Sequence, residues 1–165
     1  EAQVTTPTPA SLAYYEALAD KHRGSPVSLV NALNDDVAGD DARIDMILPV
    51  CVDVVSADRS RADGLLHSME ARAITDYEGS GAFAKMRARI GENDAVMSRT
   101  VRALASRLVG YRVALAHARL DAPVGDRLIT VEGALSDMEG RVANLSECAM
   151  HHSAIVDALR SGTAS

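Results

Sequence analysis

Over the last fifth of the chain the seam positions Leu128, Val131, Leu135, Met138, Val142, Leu145, Ala149, His152, Val156 and Leu159 follow one another at steps of three and four. That spacing holds without a break, which is the seam of a coiled-coil-like bundle helix and predicts a helix over about 126–160. A second seam, through Phe83, Met86, Ile90, Met97, Val101, Leu104, Leu108, Tyr111, Leu115 and Ala118, predicts a helix over about 82–120. Gly91 to Asp94 marks a place where it breaks or bends. A third runs from about Asp41 to Asp76 through Ile44, Ile47, Leu48, Cys51, Val55, Ala62, Leu66, Met69 and Ala73. Pro49 falls inside it, and since proline removes one amide bond and crowds the preceding turn, the helix is expected to kink or begin afresh there.

The N-terminal part is shorter in rhythm. Leu12, Tyr15, Ala19 and His22 make one short helix that Gly24-Ser25-Pro26 ends, and Ser28 to Leu33 makes a second. The polar run Asn34 to Asp41 reads as a loop with an aspartate cap at its end. Tyr77 to Gly81 and Asp121 to Gly125 read as turns between the long helices. Helices of about 35 residues rise about 1.5 Å per residue, so each is roughly 50 Å long. Short turns make neighbours antiparallel. The expected fold is all-α: an elongated antiparallel bundle of three long helices, with the short N-terminal helices as a cap or partial fourth layer. Residues 1–10 are an extended lead, 11–160 a single helical-bundle domain, and 161–165 a flexible tail or linker stub.

Composition sharpens this picture. One Phe, no Trp and an aromatic share of 3% remove the residues from which sandwiches and barrels are built. A net charge of −6 speaks against nucleic acid, whose phosphates require a basic face. No stretch approaches the roughly 18 uninterrupted apolar residues of a membrane span. The first residues contain no Met and no signal-peptide pattern, so the numbering is expected to start at a processed end or at an artificial boundary.

Candidate chemistry is sparse. Cys51 and Cys148 are the two cysteines; a lone pair in a cytosolic chain is most often two inert buried thiols, and in a secreted one it is usually a disulfide. We expect a Cys51–Cys148 bridge, although with turns centred near 79 and 123 the two lie ten residues out of line, about 15 Å along the helices. Asn144-Leu145-Ser146 is an N-glycosylation sequon, with Asn144 as acceptor. Cys148 and His152 stand one helical turn apart and, with Cys51, invite a zinc or copper site; the fourth ligand is missing, and His152 reads better as a core histidine bonded to a neighbour. Asn34, Asp36, Gly39 and Asp45 imitate a calcium-binding loop, but Ala38 stands where an oxygen ligand belongs, and a solvated acidic loop is the better reading. No phosphate loop, nucleophile elbow or His-Glu-x-x-His helix occurs. Arg87, Arg89, Arg102 and Arg107 read as solvated outer faces, and Tyr14-Tyr15 as one rim ring and one packed ring. No catalytic group, cofactor or metal is therefore expected.

An Ala-rich antiparallel bundle with a few cysteines, a sequon at Asn144 and a small-residue C-terminal stub resembles the surface coat proteins of trypanosomes, the variant surface glycoproteins and glutamate/alanine-rich coat proteins. The resemblance covers residues 11–160 as architecture and composition. It implies a non-enzymatic, extracellular coat glycoprotein forming a protective layer, sometimes receptor-like. Its partners are then neighbouring coat molecules or a host surface ligand, and it reaches the membrane only through a removed C-terminal GPI anchor. The alternative reading is a bacterial periplasmic or secreted bundle that assists assembly or binds a ligand or metal between its helices.

Overall fold

Ser25 and Pro26 set the start of the longest helix. The Ser25 hydroxyl accepts from the Ser28 amide at 3.4 Å, and Pro26 takes the first helical position, where its missing amide hydrogen costs nothing. In the computed structural model, which describes residues 9–70, 81–118 and 125–162, four helices follow in order: α1 (Pro9–Lys21), α2 (Pro26–Glu70), α3 (Ala82–Ala118) and α4 (Gly125–Ser161). Among the described residues there is no strand. The all-helical expectation holds.

Two features of α2 correct the sequence reading. Asn34 to Asp41, expected as a capped loop, is helical, and the short piece after Ser28 is the beginning of α2 itself. The reason is a stripe hidden by the polar run: Leu29, Leu33, Val37, Asp40 and Ile44 are each no more than 1% exposed and recur at steps of three and four, while Asp35 and Asp36 face solvent. Packing of that stripe outweighs the weak helix propensity of Asn, Asp and Gly. Pro49 also lies within α2, which does not restart there. Its ring is on the exposed side, and Ile44, Cys51 and Val55 are buried on either side of it. Of the break or bend expected at Gly91 to Asp94, no break occurs, since α3 is continuous there.

Of the expected turns, 77–80 and 121–124 lie outside the described residues. Gly81 has φ 76° and its carbonyl accepts from the Lys85 amide at 3.1 Å. It therefore leads into α3 with a backbone that glycine adopts without strain. Gly125 is the first residue of α4 rather than part of a turn.

The chain forms two compact units, Glu1–Asp45 with Arg102–Ala143 and Met46–Val101 with Asn144–Ser165. In the first, α1 packs on α3 through Tyr15, whose ring lies edge-on to Tyr111 with centroids 5.9 Å apart. Gly110 makes this possible. A Cβ there would sit 2.1 Å from the Tyr15 ring, so Gly110→Ala should expel the ring and cost about 1–3 kcal/mol, as overpacking does. The same change in a Tyr15→Ala background should cost much less, and equal losses by urea denaturation in the two backgrounds would rule the steric account out. Leu33, Leu104, Leu135 and Met138 complete this core.

In the second unit the core is Leu65, Leu66, Ile90, Met97, Leu145 and Val156, with Phe83 at 4% exposure. Nearly every seam position of α4 whose side chain is described is buried, Ala149 being partly exposed. Met86, expected inward, is an exposed residue of α3. The Arg87 guanidinium stacks over Phe83, 5.3 Å from the ring centroid.

Candidate functional site

Each unit buries one polar cluster hung on a seam aspartate of α2. In the first, Asp40 is 1% exposed and accepts from Arg107 Nε at 2.8 and 3.0 Å and from the Tyr111 hydroxyl at 2.5 Å. Arg107 also donates to the Tyr111 hydroxyl at 2.8 Å. Arg107 was expected on a solvated outer face and is instead half-buried against Asp40. Burial opposes its charge, but the Asp40 hydrogen bonds and the neighbouring negative charge hold its pKa above the ordinary range. Burial, reinforced by Asp40, likewise pushes the Tyr111 hydroxyl up, so it stays a neutral donor. Nearby, Arg141 pairs with Asp45 and lies 3.6 Å from Asp41, whose Oδ1 has no hydrogen-bond partner. Tyr15 is packed and Tyr14 is on the rim, as the sequence suggested.

The second cluster joins three helices. His152 of α4, fully buried, sets Nε2 at 2.6 Å from Asp58 Oδ2 of α2 and Nδ1 at 3.0 Å from Asp94 Oδ1 of α3. Asp58, also fully buried, accepts from Asn93 at 3.0 Å and from Arg61 at 2.6 Å. Ionised carboxylates only accept, so both contacts of the ring are complete when both of its nitrogens carry protons. The expectation of a core histidine bonded to a neighbour is met, with two neighbours rather than one. Ser153 donates to Asp94 at 3.1 Å and not to the imidazole. With both ring nitrogens occupied by carboxylates, the imidazole is not positioned to activate that hydroxyl.

Burial alone would raise the Asp58 carboxyl, but hydrogen bonds from Asn93, His152 and Arg61 outweigh it and hold the pKa below its ordinary 3.8. On acidification the unfolded chain takes up this proton first. The stabilisation is therefore complete above about pH 4 and is lost as pH falls through the lower folded value. Urea denaturation at pH 2–5 should show a steeper acid decline for the natural protein than for Asp58→Asn, and parallel curves would refute the linkage. Asp41 works in the opposite sense, because burial, against the pull of Arg141, pushes its carboxyl up.

The metal and calcium sites that the sequence invites, and that its reading set aside, are not assembled among the described residues. Among the described residues no three His, Cys, Asp or Glu side chains are placed to hold a metal ion. The calcium-like segment is helical, so Asn34, Asp36, Gly39 and Asp45 cannot wrap an ion. Cys51 and Cys148 are both buried and both free, so the expected disulfide is not formed. Burial raises the Cys51 thiol pKa, and Cys148 adds to the rise, as a neighbouring thiol does. The assumed turn at 79 would set Asp58 level with Thr100, whereas Asp58 meets Asn93, seven residues nearer. That difference, about 10 Å of helix rise, removes most of the misalignment estimated from sequence.

Cys148 also lines a groove of about 450 Å³ between α2 and α4, floored by Leu48, Val52 and Val55 and rimmed by Arg59 and His151. Asn144, exposed, stands at the same groove, with Leu145 buried beside it. Among the described residues no helix is long and apolar enough to cross a membrane. Compared with protein-family models, curated proteins and solved structures, the chain matches none.

Proposed function

We propose that this chain is a non-enzymatic helical bundle that acts by presenting its surface, in the manner of an extracellular coat glycoprotein. The observation that carries this reading is the state of the buried polar groups. Asp40, Asp58 and His152 are each committed to other side chains of the protein, so none is held ready for a substrate. They serve packing, as the apolar seams around them do. The contacts also favour the finer architecture, an antiparallel bundle of three long helices with α1 laid beside them. In the second unit Asp94 meets His152, while Ile90 lies with Val156 and Leu159. In the first, Leu29 lies with His117 and Asp40 meets Arg107.

The exposed Asn144 fits the coat reading, because its side chain leaves the helix toward solvent while Leu145 turns inward. Partners are then neighbouring copies in a layer or a host surface ligand, with a removed C-terminal lipid anchor as the membrane attachment. The experiment is expression through a eukaryotic secretory pathway followed by enzymatic deglycosylation. The natural sequence should lose the mass of one glycan and Asn144→Gln should lose none. Secreted protein without a glycan at Asn144 would overturn the coat reading. A second reading, a secreted or periplasmic bundle that binds a ligand between helices, is favoured by the groove beside Cys148.

A further inference from the structure

The geometry points to the groove between α2 and α4 as a binding site for a single-chain amphiphile with an anionic head group. Its floor is apolar: Leu48, Val52 and Val55 rise from α2, and the buried Cys148 thiol closes the α4 side. Val52 is 52% exposed there, an apolar side chain left facing solvent in a cleft rather than on a convex surface. Along α2 the groove runs from Leu48 to Arg59, about 16 Å of helix rise and comparable to an extended dodecyl chain. Pockets for small ligands begin at about 300 Å³, and this one is about 450 Å³.

Charge sets the orientation. Among the described residues no hydrogen bond or ion pair engages Arg59, although the chain carries 23 acidic residues against 17 Lys and Arg. Its neighbour Arg61 is spent on Asp58. Arg59 therefore stands at one end of an apolar trough with its donors unused, the arrangement that receives a carboxylate or sulfate in a forked hydrogen bond. His151 lies on the same rim, its Nε2 3.8 Å from Glu147, the acid that also lines the groove. Asn144 belongs to an earlier turn of α4 than His151, so a glycan there and a ligand head at Arg59 occupy different stretches of the rim. The site thus stands independently of the coat reading.

The test is a titration of the whole chain with dodecanoate, below its micelle concentration, followed by backbone amide NMR. Saturable shifts are expected at Val52, Val55 and Cys148. Arg59→Gln should weaken binding about fivefold, the effect of losing one exposed ion pair, and Val52→Asp should abolish it. Both positions face solvent, so unchanged helical circular dichroism and melting will show that the variants still fold. Absence of saturable shifts, shifts confined to other residues, or equally tight binding of dodecyltrimethylammonium would each overturn the inference. So would movement of the groove resonances with protein concentration alone, which would make a second copy the occupant. Dodecanoate binding by a chain without a glycan at Asn144 would retain this site and remove only the coat.

Discussion

Replacing His152 by Ala should destabilise the protein by about 3–5 kcal/mol, the cost of taking a partner away from a buried carboxylate. The imidazole lies between Asp58 and Asp94, at 2.6 and 3.0 Å. Its loss leaves a fully buried carboxylate and a mostly buried one facing the same void. Arg61 and Asn93 remain on Asp58 but reach it from α2 and α3, so the link to α4 is gone. A double replacement, Asp58→Leu with His152→Leu, should recover most of the loss, because a well-packed apolar pair carries no desolvation cost. The coupling energy from the four-variant cycle, measured by urea denaturation, is the readout. A loss under about 1 kcal/mol for His152→Ala alone would mean that water or a neighbouring side chain replaces the ring without difficulty.

Leu145→Ala and Leu135→Ala should each cost about 2–5 kcal/mol. Both side chains are 2% exposed, one in each unit, and each sits where its helix can relax little, being held by buried residues a turn away on either side: Val142 and Cys148 for Leu145, Val131 and Met138 for Leu135. The spread within that range depends on how far the surroundings collapse into the space. Calorimetry on the two variants decides it, and a loss below about half a kcal/mol at both would show that these residues do not face the core.

The fourth helix was legible because its seam is almost wholly apolar and its period uninterrupted, so local rhythm and tertiary burial say the same thing. The start of α2 was not, because Asn34 to Asp41 carries the composition of a loop. What holds it in a helix is a stripe that includes Asp40, and the groups that make a buried aspartate tolerable, Arg107 and Tyr111, come from α3, far along the chain. No local window contains that information. The core role of His152 was readable, but not its partners. A signal existed: Asp58 occupies the step between Val55 and Ala62, where the seam calls for an apolar residue. A charge on the seam of one helix asks for its complement on another, and His152 was the seam position able to supply it. The thiols show the converse. Their proximity depends on where the chain turns between α2 and α3, and an error of a few residues there displaces everything downstream.

The layer of Asp58, Asp94 and His152 has a consequence for how the second unit can assemble. Apolar seams are nearly degenerate under translation, since one Leu fits against the next about as well as against the first. Were α4 to slide by one heptad, Leu145 or Leu159 would stand where His152 stands, and the Asp58 and Asp94 oxygens that now meet the imidazole would face a methyl surface, with Arg61 and Asn93 left on Asp58. The polar layer thus acts as an index mark on an otherwise repetitive ruler. It admits one alignment of the three helices and penalises every shifted one, including shifted pairings with a helix borrowed from another copy.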